Sequence, residues 1–145
     1  MKLLAPILFL ATFTLPVFAG DWPQWRGPNR DGVSTETGIL DEWPESGPKL
    51  LWKAKGVGAG FSSVSVTGGR IYTMGDGQEA SQVHCLNPKN GKILWSSKPV
   101  GKTGGNYKGT RCTPTFDDGR LYALGQFGDL VCLRANDGSE LWRKS

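Results

Sequence analysis

The chain has 145 residues, of which 38% are hydrophobic, 10% aromatic and 21 are glycine, and it carries a formal net charge of +4. Glycine weakens a helix by about 1 kcal/mol at each interior position, and past position 20 no window spaces its apolar residues at helical period, which excludes a helical bundle and a coiled coil. Basic residues are scattered singly among acidic ones instead of forming a stripe, which argues against nucleic acid as a partner.

The chain opens on MKLLAPILFLATFTLPVFAG. One early positive charge, Lys2, precedes an apolar run from Leu3 to Phe18, and Val17 and Ala19 occupy the −3 and −1 places of a signal-peptidase site. Pro6 and Pro16 interrupt the run, and about 16 apolar-leaning residues fall short of the roughly 20 that span a bilayer. Residues 1–19 therefore read as a cleaved signal peptide rather than an anchor. The mature chain is expected in the periplasm or outside the cell, with no stable membrane insertion. Export would place Cys85, Cys112 and Cys132 in an oxidising compartment, where an odd number permits at most one internal pair. No C-x-x-C or Cys/His cluster is present to hold zinc, and free thiols buried in strands are the favoured reading.

Residues 20–49 form an N-terminal extension, and residues 50–145 are organised by a repeat. VHCLNPKNGKILWSSK at 83–98 aligns without a gap on LVCLRANDGSELWRKS at 130–145, an offset of 47. GRIYTMG at 69–75 aligns on GRLYALG at 119–125, an offset of 50, and Leu50-Leu51-Trp52 is a third, partial copy. Units of forty-odd residues that differ only in loop length suit stacked four-stranded sheets. The first unit reads as strands over 63–67, 70–74, 83–86 and 92–96; the second begins with a strand over 112–116. Gly68-Gly69, Asn90-Gly91, Asp118-Gly119 and Asp137-Gly138 are read as hairpin turns, because two-residue loops require positive φ. Ile71 to Met74 and Leu121 to Leu124 are apolar at nearly every position, which implies strands covered on both faces. An all-β fold of antiparallel, four-stranded β-propeller blades meets that demand.

Trp52, Trp95 and Trp142 each close a unit, and at that fixed place a large ring can plug into the neighbouring blade. Leucine, a turn ending in Gly91 or Gly138, then Leu94-Trp95 or Leu141-Trp142, resembles the PQQ-like, or quinoprotein, β-propeller repeat. Cys85 and Cys132, and Asn87 and Arg134, depart from the Ala-Leu-Asp usual before that turn. The run Asp21-Trp22-Pro23-Gln24-Trp25-Arg26-Gly27-Pro28-Asn29-Arg30-Asp31-Gly32 also resembles the opening of exported bacterial members. The resemblance implies a ring of seven or eight blades, of which about two are present, so the chain is expected to be the N-terminal part of a longer protein. It further implies one of two roles. The first is a non-catalytic binding or scaffold module for a protein, polymer or small molecule. The second is the N-terminal part of a quinone-dependent alcohol dehydrogenase using PQQ and calcium.

No catalytic or metal-binding residue is assigned. Gly101-Lys102-Thr103 lacks the earlier glycine of a P-loop. His84, the single histidine, lies between Val83 and Cys85 and reads as structural, and Asp117, Asp118 and Asp137 sit beside turn glycines that favour aspartate for backbone reasons. The one polar candidate is Arg111, which follows a glycine-rich loop and opens the strand nearest the propeller axis, where a guanidinium can hold an anion bidentately. Mass spectrometry of the protein from its host should find a chain beginning at Gly20, and a retained 1–19 segment would refute the cleaved signal.

Overall fold

The computed structural model describes residues 20–105, 107 and 109–145; the expected signal peptide lies outside the described residues. Among the described residues there is no helix. Nine strands form two antiparallel sheets. The first takes β1 (Ser65–Thr67), β2 (Arg70–Asp76), β3 (Ala80–Leu86) and β4 (Ile93–Ser96) in order, with the short β5 (Gly101–Lys102) pairing on β3. The second is the meander β6 (Thr115–Asp117), β7 (Arg120–Leu124), β8 (Leu130–Arg134) and β9 (Glu140–Lys144).

The two sheets repeat each other down to their irregularities. Tyr72 pairs with Cys85 and Cys85 with Trp95; in the second sheet Tyr122 pairs with Cys132 and Cys132 with Trp142. A register shift follows at Cys85/Leu86 and again at Cys132/Leu133. Paired residues share a face of the sheet, so each small, buried cysteine lies in a row between two large rings. Tyr72 sits 6.0 Å from Trp95, and Tyr122 sits 6.1 Å from Trp142. Cys85, Cys112 and Cys132 are free thiols.

One core lies between the sheets. Tyr72, Met74, Val83 and Cys85 of the first meet Leu121, Ala123, Val131 and Leu133 of the second, and all eight are buried. Alternation along a strand explains the choice: residues two apart share a face, so one face of each middle strand enters this interface and the other turns away. Cover on both faces is therefore not uniform. Ile71 and Tyr122, on the faces turned away, are only half-buried.

The turns divide into two kinds. Gly68-Gly69 and Asp118-Gly119 are two-residue hairpins with positive φ at both positions (56° and 68°, 42° and 73°). Asn90-Gly91 and Asp137-Gly138 instead end loops of four residues. Asn87 N–H donates to the Lys92 carbonyl at 2.9 Å and Gly91 N–H to the Asn87 carbonyl at 2.8 Å, and the same bonds recur at Arg134, Ser139 and Gly138. Within these loops only the glycine is left-handed, with φ of 67° and 73°. The tryptophan of the preceding unit lies against it. A Cβ on Gly138 would come within 2.5 Å of the Trp95 ring, and one on Gly91 would strike Trp52. Trp52 Nε1 also donates to the Pro88 carbonyl at 2.8 Å. Backbone sign and ring contact thus both demand glycine.

Four further features differ from the sequence expectation. Leu50-Leu51-Trp52 pairs with no strand, and Leu50 and Leu51 are exposed. The inner strands start later than expected, at Ser65 and Thr115. Ser62 Oγ and Cys112 Sγ accept the Met74 and Leu124 N–H groups, each at 3.2 Å, so side chains take the place of ladder carbonyls there. β5 arises where Val100 N–H donates to the Ser81 carbonyl and carries the connection along β3. The N-terminal extension joins the repeats: Trp22 exchanges two hydrogen bonds with Val66 of β1, and Phe116 of β6 donates to the Pro23 carbonyl at 2.8 Å.

Replacing a buried tryptophan by alanine costs about 3–5 kcal/mol. Trp95→Ala should fall near the lower bound, because its ring is only half-buried. Gly138→Ala should lower the melting temperature in the same direction, through the clash and the positive φ. Exposed Lys98→Ala should leave it unchanged. A melting temperature of Trp95→Ala within error of the parent would show the ring to be peripheral.

Candidate binding surface at the loop end of the sheets

Both sheets are meanders, so their long loops gather at one end. These are the loops after β2 and β7 and the connections leading into β1 and β6. Arg111 lies in the last of these. Its guanidinium stands 5.8 Å from the centre of the Phe61 ring, within cation–π range, and Nη2 donates to the Tyr107 carbonyl at 3.3 Å. Phe61 N–H in turn donates to the Thr110 carbonyl at 2.7 Å. Phe61 and Arg111 are 50 residues apart, the repeat offset, so equivalent positions of the two units meet here.

A second equivalent pair lies beside them. Asp76 is buried; its Oδ1 accepts from Ser81 Oγ at 2.6 Å and its Oδ2 from Gln126 Nε2 at 2.7 Å. Asp76 and Gln126 were not singled out from sequence. The available signal was their place after Gly75 and Gly125 in the aligned repeat, where one unit has an acceptor and the other a donor. Arg111, Cys112, Leu124, Gly125 and Gln126 line an open hollow of about 410 Å³. Arg111 and Gln126 are shared with a second hollow of about 220 Å³ bounded by Gly104, Gly105, Tyr107 and Phe127. Phe61, Tyr107 and Phe127 are 69%, 76% and 61% exposed, an unusual showing of aromatic surface around one arginine.

The other polar residues are placed elsewhere or already engaged. Asp137 lies at the opposite, turn end, where Ser139 donates to Oδ1 from its backbone and its hydroxyl at 2.9 and 2.7 Å and holds the carboxyl below its usual range. Asp118 is a central residue of a hairpin turn. Burial pushes the Cys85 and Cys112 thiols up, the opposite of what a nucleophilic thiolate needs. His84 is buried in the middle of β3 with Nδ1 2.8 Å from Ser96 Oγ, and burial lowers its pKa. Trp52, Trp95, Gly91 and Gly138 make the turn contacts described above, whereas Trp142 is 41% exposed.

The lowered pKa of His84 has a consequence for stability. The folded state keeps the ring neutral below 6.5, while the unfolded chain takes up a proton near that value. This contribution is whole above pH 6.5 and is lost as pH falls through the range below it. The melting temperature should therefore drop between pH 7 and pH 5, and His84→Gln should reduce that drop. Equal pH slopes in the two proteins would refute it.

Residues 79–145 match the family model described as outer membrane protein assembly factor BamB, a model of PQQ-like repeats. A comparison with curated proteins finds no match.

Proposed function

We propose that this chain, whose residues 79–145 match the PQQ-like repeat model and whose two sheets fit partial β-propeller blades, is part of an exported, non-catalytic binding or scaffold module whose loop end contacts a protein partner. The observation that carries this reading is the exposed ring of Phe61, Tyr107 and Phe127 about Arg111. Aromatic residues and arginine are enriched in the cores of protein interfaces, and arginine is frequent among the few residues that carry most of the affinity. The buried carboxylate at this end, Asp76, is occupied by a hydrogen bond from Ser81 of its own unit and one from Gln126 of the next, which suits a scaffold. Export is supported by the leader sequence and by the description of the matching family.

The family also implies quinone-dependent alcohol oxidation with PQQ and calcium. Among the described residues no three His, Cys, Asp or Glu side chains gather as metal ligands.

Fractionation of the native host should place the chain outside the cytoplasm. Loss of a central arginine from an interface costs about 2 kcal/mol or more. A partner co-purified from the extracytoplasmic fraction should therefore bind Arg111→Ala/Phe127→Ser at least tenfold more weakly, at an unchanged melting temperature. Cytoplasmic location, or undiminished binding by this variant, would overturn the reading.

A further inference from the structure

The N-terminal extension closes on itself before it reaches the repeats. Trp22 is fixed by its two hydrogen bonds with Val66, and the loop that follows folds back over its ring. A Cβ on Gly27, whose φ is 78°, would come within 2.7 Å of that indole. Asp31 Oδ1 then accepts the Val33 N–H at 2.9 Å, and Ser34 Oγ accepts the Glu36 N–H at 3.2 Å. These are the local turns that Asp and Ser make with the backbone two residues on. They return the chain to position 20, where the Gly20 N–H donates to Glu36 Oε1 at 2.8 Å.

Three successive residues are therefore held, each by a different partner. Glu36 takes Gly20; Asp21 Oδ2 accepts from Thr67 Oγ1 at 2.5 Å and from the Gly68 N–H at 3.4 Å; Val66 takes Trp22. Gly20 is the residue that cleavage after Ala19 exposes. Cleavage changes its nitrogen from a neutral amide, with one proton to give, into an α-ammonium with three protons and a full charge. A hydrogen bond with both partners ionised is shorter and roughly twice as strong as a neutral one. The small hollow between Gly20 and Glu36, about 100 Å³, has two titratable groups in its lining, Asp21 and Glu36, and no basic side chain. Asp21 is engaged with β1 and the turn after it, and among the described residues Glu36 makes no ion pair. The cation that Glu36 lacks is the one that cleavage creates beside it.

We infer that Glu36 is the binding site for the α-ammonium of the mature chain, so that removal of residues 1–19 fastens the extension against the edge of the first sheet. The inference rests on the expected cleavage after Ala19 and is independent of the aromatic surface around Arg111. An α-amino group ordinarily titrates near pH 8, and a carboxylate partner raises that value in the folded state. The stability contributed by the pair is whole below about pH 8 and is lost as pH rises through the raised value. Gly20 and Glu36 are exposed, so the rise is limited to about 0.2–0.7 pH unit.

The test uses the mature chain from the extracytoplasmic fraction, its first residue read by mass spectrometry, as parent, Glu36→Gln and the control Glu45→Gln. Titrated by nitrogen NMR, the Gly20 amine of the parent and of Glu45→Gln should lose its proton about 0.2–0.7 pH unit above that of Glu36→Gln. Glu36→Gln should lower the melting temperature at pH 7 and leave it unchanged near pH 10. In the uncleaved 145-residue chain, where this nitrogen stays an amide, the effect of Glu36→Gln should be the same at both pH values. An amine that titrates alike in parent and Glu36→Gln, or a Glu36→Gln effect in the mature chain that does not depend on pH, would overturn the inference with the cleavage intact. A mature chain that begins elsewhere than Gly20 would overturn both together.

Discussion

An indole set against a glycine that has no room for a Cβ is the contact from which the rest of this architecture follows. Between successive repeats it occurs twice, as Trp52 on Gly91 and Trp95 on Gly138. Each time the ring belongs to one repeat and the glycine to the next. Such a contact has a direction: the unit that gives the tryptophan differs from the unit that receives it. Units linked in this way stack in one order, and the two faces of every sheet become chemically distinct.

That distinction accounts for the division of the side chains. Tyr72, Met74, Val83 and Cys85 look toward the following unit, while Leu121, Ala123, Val131 and Leu133 look back toward the preceding one. The hydrogen bonds obey the same polarity. Arg70 and Tyr72 spend their donors on carbonyls of the loop that carries the receiving glycine. One cost is visible. Pro88 O accepts from the Trp52 indole N–H, but the equivalent Ala135 O is taken by Arg70 and Tyr72, and Trp95 Nε1 is buried without a protein partner among the described residues. The buried contact area and close fit of the ring, rather than its N–H, therefore hold the second joint.

At the other end of the strands, the repeat brings equivalent positions together and has made them different. Phe61 meets Arg111, and Asp76 meets Gln126. In each pair one substitution converts a self-facing contact into a complementary one, cation over ring and amide to carboxylate. Polar connections are thereby ordered without a core of their own, and aromatic surface stays exposed around Arg111. The N-terminal extension adds a tie on the inner edge, where Trp22 and Pro23 bond β1 and β6.

The repeat, the all-β class, the order of the strands and the glycine positions were all legible in the amino-acid sequence. They rest on local rules: a period of two for strands, positive φ at turn glycines, and recurrence of Leu-Trp after each glycine. Arg111 was legible as a loop-end residue, but its neighbours were not. Phe61 and Gln126 reach it only because two connections 50 residues apart cross at the same end. The lengths of the Asn90-Gly91 and Asp137-Gly138 loops also escaped local reading, since the same dipeptide suits a two-residue hairpin. So did the role of Trp22, because a backbone exchange with Val66 leaves no periodic trace in either segment. Sequence by itself determined which residues form strands and where the chain must turn; only tertiary structure decided which face of each sheet is covered, because burial depends on what a neighbouring unit brings to it.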